Sequence, residues 1–181
     1  MISAKLAAQC LAYFAAQDPD GERMTMMRVQ KMLYFAQGHC LAEYNTPLFP
    51  DEIQAWKHGP VVPNEYNKAE REEDGSYAAY PIDDNFSIDE VPMKEFDLLL
   101  NVFVEYNKYT TSALVGLSHA ADGPWFRSYS KGKNTTISVN DIADYFRKNN
   151  REIGIDAIMN RIPTEGYIEN DVLVLPGRYE D

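Results

Sequence analysis

The chain has 181 residues, 45% of them hydrophobic and 12% aromatic, and a formal net charge of −11 at pH 7. This composition is typical of one globular domain with a sizeable core and excludes an intrinsically disordered chain. The excess of carboxylates opposes the phosphate contacts on which nucleic-acid affinity rests, so direct binding of nucleic acid or of an anionic membrane is not expected. A basic protein partner would be attracted.

Two further exclusions concern the membrane and the redox state. Segment 1–5 lacks the ordered regions of a secretory signal, and no uncharged apolar run of about 18 residues occurs, so we expect a soluble, cytoplasmic protein without a membrane segment. Cys10 and Cys40 each lie in an apolar helical pattern. We expect both to be buried thiols rather than partners in a disulfide.

Two helices are predicted in the first quarter of the chain. Ser3 is a suitable N-cap for the first, which ends before the turn-forming residues 18–21. The second runs from Met26 to Tyr44 behind Thr25 as its N-cap, and the prolines that follow prevent its continuation. Apolar residues cover most of its circumference, which predicts the buried centre of a helical domain.

The polar residues of this central helix are more informative than its leucines and methionines. Arg28 and His39 are assigned to its polar side. Gln30 and Gln37 lie seven residues apart, and so on nearly the same bearing, between two apolar stripes. Because a buried carboxamide without partners costs roughly 1–3 kcal/mol, both glutamines are predicted to hydrogen-bond specific neighbours.

Short elements follow the central helix. Residues 53–56 are predicted to be extended, residues 57–60 to form a sharp turn, and Pro63 to open a short helix that closes at Gly75. Residues 76–91 are predicted to be mostly loop.

The second half of the chain predicts more helices. Pro92 suits the first position of a helix with an apolar stripe, and Thr110 or Thr111 begins another, with Leu114 and Leu117 directed inward. A brief helix is expected after a turn at residues 122–125, and a last one behind a capping box formed by Ser138 and Asp141.

The expected fold is therefore mainly α: a compact single helical domain with a long buried central helix and minimal β structure, limited to short extended segments or a small hairpin. We assign residues 1–148 to this domain and residues 149–181 to an appended C-terminal segment. The β-favouring residues 172–175 predict a strand or hairpin within that segment.

Residues for catalysis or metal binding are sparse. The histidines are His39, His58 and His119, and His39 cannot pair with the adjacent Cys40 because successive helical side chains point about 100° apart. His119 with Asp122, or His58 in its turn, could act as a base, but a structural role is favoured for each. The sequence contains neither HExxH nor paired CxxC spacing nor a glycine-rich phosphate loop, so no metal and no cofactor are expected.

Two stretches of the chain resemble a known family, the Panacea domain of SocA-like antitoxins. Residues 28–39 resemble its pattern K-L-Q-K-L-L-Y-Y-A-Q-G, and residues 55–66 resemble A-W-x-x-G-P-V-V followed by a tyrosine. Residues 117–125 are similar to its S-H…P-W segment, and residues 142–146 to its I-x-x-Y-F helix. The likeness extends from about Ser3 to Lys148. Departures are small, with Arg28 in place of lysine and Met32 in place of leucine.

The resemblance implies a phage-associated or bacterial antitoxin that neutralises a nearby-encoded protein toxin by binding it directly. It implies no catalytic residue and no metal ligand. The candidate partner-binding residues on the matched positions are Lys31, Tyr34, Gln37, Trp56, His58, Gly59, Pro60, Tyr66, His119 and Trp125. Core or turn roles are favoured for Tyr34, Trp56 and Pro60. Stronger candidates for partner contact are Lys31, Gln37, His58 and Tyr66, although a structural hydrogen-bond network is the alternative there.

Two other functions are retained as alternatives. One is a small hydrolase or transferase with His58 or His119 as the base, and the other is an adaptor that delivers a client protein to a protease. The sequence defines neither the toxin nor the oligomeric state, and it assigns no role to residues 149–181.

Overall fold

The computed structural model describes residues 1–18, 21–66, 72–73 and 77–149 in full, and the backbone of 167–169 and 172–174. Within these residues the structure is mainly helical with a small sheet, which confirms the expected fold class. The α-helices are α1 (Ala4–Ala16), α2 (Met26–Tyr44), α3 (Pro63–Tyr66), α4 (Met93–Asn107), α5 (Thr111–Ser118), α6 (Pro124–Tyr129) and α7 (Val139–Lys148), with a 3-10 helix at Ile88–Glu90.

Short antiparallel strands complete the described structure. β1 (Gln54–Trp56) lies between β2 (Gly59–Val61) and β3 (Thr135–Thr136), with Ala55 opposite both Pro60 and Thr135. The predicted turn at residues 57–60 is therefore a tight hairpin, since its last two residues already belong to β2. In the C-terminal segment β4 (Tyr167–Glu169) pairs antiparallel with β5 (Val172–Val174), which agrees with the strand or hairpin expected there. The domain division at residue 148 stays a prediction.

The predicted N-caps begin their helices. Side-chain oxygens of Ser3, Thr25 and Ser138 accept hydrogen bonds from backbone N–H groups in the first turns of α1, α2 and α7. Pro92 was placed one residue too far into α4, because it occupies the N-cap itself with extended backbone. The helix predicted from Pro63 is also shorter than expected, since α3 ends at Tyr66 and residues 72–73 are not helical; the remaining positions up to Gly75 lie outside the described residues.

α2 is the centre of the structure, because α1, α4, α5, α7 and β2 all pack against it. The assignment of Arg28 and His39 to a polar side was wrong, since both are buried, at 0% and 5% exposure. A helix covered on every side has no solvent face, so its polar groups must find partners inside. His39 Nε2 lies 2.9 Å from the Tyr106 hydroxyl, and the Arg28 guanidinium donates to the backbone carbonyls of Asn107 and Tyr109 at 2.9 and 2.8 Å.

The two central glutamines form the hydrogen bonds that their position required. Gln37 Oε1 accepts from the N–H groups of Leu48 and Phe49 at 2.8 and 3.2 Å, and its Nε2 donates to the Phe49 carbonyl at 3.1 Å. Gln30 Oε1 accepts from the N–H of Val62 at 2.7 Å. Both glutamines therefore attach segments without regular secondary structure to α2, because they hydrogen-bond to backbone groups that have no partner in a helix or strand.

Other predictions of burial have mixed outcomes. Cys10 and Cys40 are buried free thiols, as expected. Leu114 is fully buried, but the inward orientation predicted for Leu117 was wrong, because Leu117 is 40% exposed. α5 is short and faces the core along one narrow stripe, so a residue three positions after Leu114 can lie at the edge of that stripe.

Gly38 permits the close approach of α7 to α2. A Cβ atom at this position would lie 2.4 Å from the Phe146 ring, a separation that real side chains do not adopt. Phe146 also packs edge-on against Tyr34 and lies 5.2 Å from the His39 ring centroid. Gly38 is thus required by the space that Phe146 occupies rather than by backbone conformation.

We expect Gly38→Ala to lower the free energy of unfolding by about 1–3 kcal/mol, because the added methyl overpacks the contact with Phe146. Gly116→Ala is the matched control: it lies in α5 with no atom within 4 Å of a built Cβ. There the higher helix propensity of alanine should raise stability by roughly 0.5–1 kcal/mol. Urea denaturation measures both variants, and equal effects of the two would contradict the packing of α7 on α2.

Candidate functional site

The β1–β2 hairpin has a glycine at its closest point to the helices. Gly59 has a φ of 106°, a conformation that residues with a side chain rarely adopt. A Cβ here would also lie 2.9 Å from both Lys31 Nζ and Ser118 Oγ. Backbone conformation and available space therefore both require glycine, and they bring the hairpin against α2 and the end of α5.

Lys31, in α2, hydrogen-bonds to this hairpin. Its Nζ donates to the Pro60 carbonyl at 2.8 Å, and the side chain is fully buried. Burial lowers the pKa of the Lys31 ammonium to about 7. Among the described residues no carboxylate lies within ion-pair distance of Lys31. A lysine held by one carbonyl, with no counter-charge among the described residues, is costly to bury, and the contact that it makes is with the hairpin.

An aromatic stack lies beside the hairpin. The His119 ring is parallel to the Trp125 indole at a centroid distance of 3.7 Å, and Trp125 Nε1 donates to the Trp56 carbonyl at 2.9 Å. The Trp56 ring lies 4.8 Å from Tyr66. The segment after α5 and the start of α6 are thereby joined to β1.

His119 is electrostatically unusual within this stack. Burial lowers the pKa of His119, and its electrostatic interactions with Lys31 and His58 lower this pKa further. Its Nε2 is buried and has no hydrogen-bond partner among the residues that the structure describes. His119 forms no hydrogen bond with Asp122, so the pair considered for acid–base chemistry is not assembled in this structure.

Burial divides the ten predicted site residues into two groups. Six are internal: Lys31, Tyr34, Gln37, Gly59, Pro60 and Trp125. Four keep accessible surface: Trp56, His58, Tyr66 and His119.

The structure brings most of the predicted residues together around the hairpin and places two elsewhere. Tyr34 packs on Phe35 and Phe146, with burial raising the pKa of its phenol, and Gln37 binds residues 48–49. Ser118, which was not predicted, belongs to the cluster through its contact with Gly59. The sequence feature that could have identified Ser118 as a site residue is its position directly before His119 in the S-H segment.

In the described part of the chain, no group of three or more His, Cys, Asp or Glu side chains is arranged to hold a metal ion. None of the helices described is long and apolar enough to span a membrane.

The geometry defines a class of small, mainly helical proteins. In this class, polar side chains of a buried central helix bind a Gly-Pro hairpin that lies beside a His–Trp stack. The family model described as Antitoxin SocA-like, Panacea domain, matches residues 29–126, which is more than half of the chain and includes that whole cluster. The chain therefore belongs to this family, as the sequence resemblance predicted.

A curated relative agrees with this assignment. The chain is similar to "Antitoxin SocA" of Caulobacter vibrioides (strain NA1000 / CB15N), with 30% identity over 55% of this chain and 56% of the relative. The match thus spans just over half the length of that relative. No solved structure matches the chain.

The buried lysine predicts a specific pH dependence of stability. The folded-state pKa of Lys31, about 7, lies below the value near 10.4 of an unfolded lysine, so the unfolded state binds more protons between these values. Stability should therefore rise with pH, by about 1–2 kcal/mol between pH 7 and 8.5 for this one group.

Lys31→Met should remove this rise while keeping a long, unbranched side chain at the position. Urea denaturation of both proteins at pH 7, 7.5, 8 and 8.5 measures the effect. An unchanged pH slope in the variant would contradict the assignment of the rise to Lys31.

Proposed function

We propose that this protein is an antitoxin that neutralises a cognate protein toxin, encoded nearby, by direct binding. The observation that carries the proposal is that most of the family's motif residues form one cluster, in which buried members hold the hairpin and accessible ring-bearing members surround it. The accessible residues are Trp56, His58, Tyr66 and His119.

The surface has the chemistry of a protein-binding site. Aromatic side chains are enriched among the residues that dominate binding energy, because they bury large areas with little loss of conformational freedom. The His119 ring is fixed by its stack on Trp125, and the backbone of Trp56 is fixed by the Trp125 indole N–H. A surface fixed in this way loses little entropy when a partner binds.

Charge supports a basic partner. The net charge of −11 accelerates the approach of a positively charged protein, and this attraction weakens as salt is added.

Family membership favours binding over catalysis. The alternatives of an enzyme and of a protease adaptor have no specific contact in their favour, and they become outcomes of the experiment.

The experiment co-expresses the chain with the product of the neighbouring gene and measures growth and the affinity of the purified complex. We expect restored growth and a stable complex. Trp56→Ala and His58→Ala together should weaken the complex at least about 30-fold, as truncation of binding hot spots does. Failure to restore growth, with no complex recovered, would contradict the proposal.

Met93→Ala is the control for these variants. Met93 is 74% exposed, and the adjacent Lys94 lies over the ring of Tyr44 at the far end of α2 from Lys31. Removal of this apolar side chain should leave growth and affinity unchanged. An equal loss in the control would show that the hairpin surface is not the binding site.

Two further outcomes distinguish the alternatives. Loss of protection in His58→Ala or His119→Ala with unchanged affinity would indicate catalysis. Loss of protection in a strain without the responsible protease, while the complex persists, would indicate delivery of the toxin for degradation. Protection that falls only in proportion to affinity in the histidine variants, and that is unchanged in the strain without the protease, supports neutralisation by binding.

A further inference from the structure

The segments that form the three-stranded sheet and α6 carry a charge opposite to that of the whole chain. Residues 53–64 and 123–140 contain basic side chains and no Asp or Glu, although carboxylates outnumber Lys and Arg by 28 to 17 over the whole sequence. The basic residues are Lys57, Arg127, Lys131 and Lys133. These two segments supply β1, β2, β3 and α6, so the acidic character of the chain is absent from this part of the fold.

The sheet brings two of the lysines to one end. The pair of β1 and β3 nearest to the β1–β2 turn is Ala55 opposite Thr135, and the Asn134 N–H still donates to the Ala55 carbonyl at 2.9 Å. Lys57 and Lys133 each lie two residues beyond this pair. Since one residue spans at most about 3.5 Å of chain, the backbones of both lysines leave the sheet close to each other.

These two lysines and Lys131, which lies two residues before Lys133, form a group that we call the lysine patch. All three residues are exposed. Among the described residues, no carboxylate lies within ion-pair distance of their ammonium groups. Glu52 lies at the other end of the sheet, where it accepts from Thr136 Oγ1 at 3.0 Å. The patch therefore offers neighbouring positive charges that the described part of the chain does not neutralise.

Exposed rings lie beside the lysine patch. Trp56 directly precedes Lys57, and its ring lies 4.8 Å from the ring of Tyr66. Phe126 of α6 is 46% exposed, and the preceding residue, Trp125, joins α6 to β1 through its bond to the Trp56 carbonyl. Cations beside accessible aromatic surface are typical of a protein-binding face, because the rings supply apolar area and the charges supply specificity.

We propose that the lysine patch binds an acidic segment of the protein partner, a short stretch with several Asp or Glu side chains. The patch borders Trp56 and His58, so the inference rests on the proposed function and specifies the chemistry of the partner. The net charge of −11 acts on the approach of the whole partner. At physiological salt, exposed charges more than about 8 Å apart are largely screened, so the local charge determines which groups the patch contacts.

A short acidic segment suits the patch better than nucleic acid does. Duplex DNA carries one charge per about 1.7 Å of its axis, so a duplex over the patch would place further phosphates over neighbouring parts of a chain with a net charge of −11. An acidic segment of a protein confines its charge to the patch. The remainder of a basic partner is then attracted by the rest of the chain.

The first test titrates the full chain with acetyl-hexaglutamate amide and, separately, with acetyl-hexaglutamine amide, a neutral peptide of the same length. Backbone NMR shifts report binding. We expect saturable shifts at Lys57, Lys131 and Lys133 with hexaglutamate, and at least about fivefold weaker binding of hexaglutamine, because the carboxylates supply the attraction. Equal binding of the two peptides, or shifts confined to other parts of the chain, would overturn the proposal. Tighter binding of hexathymidylate than of hexaglutamate would assign the patch to nucleic acid and overturn it as well.

Charge-removing variants locate the binding. Lys57→Gln together with Lys133→Gln should weaken hexaglutamate binding by about 3- to 10-fold, since two exposed ion pairs are lost. The matched control is Lys94→Gln together with Lys148→Gln, which removes the same charge from exposed positions of α4 and α7. The control should change binding by less than about twofold. Equal losses in the two double variants would show a general effect of net charge and would overturn the patch.

The same double variants are then measured in the complex with the product of the neighbouring gene. We expect at least about fivefold weaker affinity for the patch variant than for the control. A complex that restores growth and that the patch variant binds as tightly as the control would overturn the acidic partner segment and leave the antitoxin function in place. Absence of any complex, with hexaglutamate still bound at the patch, would contradict the proposed function and support the chemistry of the patch.

Discussion

The hydrogen bond from the Lys31 ammonium to the Pro60 carbonyl is the contact on which the arrangement of the site depends. It is formed by a fully buried side chain whose positive charge has no ion-pair partner among the described residues. Replacing such a group by an apolar residue is often neutral or even stabilising, so stability alone does not account for a lysine here. Its effect is positional. The contact fixes the position of the hairpin along α2, and the hydrogen bond from Val62 N–H to Gln30 fixes the residue that directly follows β2.

This positioning explains why the family pattern is dense in the central helix although most of the helix is inaccessible. Gly59 is required so that the hairpin can approach Lys31 and Ser118, and Trp125 joins β1 to α6. The residues available to a partner are then presented by a rigid surrounding structure. Binding sites built in this way hold their geometry better than sites on unsupported loops. Under the proposed function, the buried helix supports the hairpin, and the accessible residues around the hairpin contact the partner.

The sequence predicted the elements where local chemistry decides the structure. The caps Ser3, Thr25 and Ser138 and the length of α2 were predicted because each depends on neighbours in the chain. The need of Gln30 and Gln37 for partners was predictable from burial, but the partners were not, since they are backbone groups more than ten residues away. Arg28 and His39 were misplaced for the same reason. A single helix cannot show that its neighbours will cover its polar residues, and the carbonyls at the end of α4 that bind Arg28 come from a distant segment.

The sequence predicted which residues belong to the candidate site, but not which of them are exposed on the protein surface. Motif positions identified Lys31, Gly59 and His119 together, yet only the packing of α2 against the hairpin separates internal from accessible members. Amide hydrogen exchange of the chain, alone and in complex with the product of the neighbouring gene, tests this separation directly. The account predicts slower exchange in the complex at residues 57–58 and 119–122. Unchanged exchange at both segments, with slowing confined to the region around Met93, would contradict it.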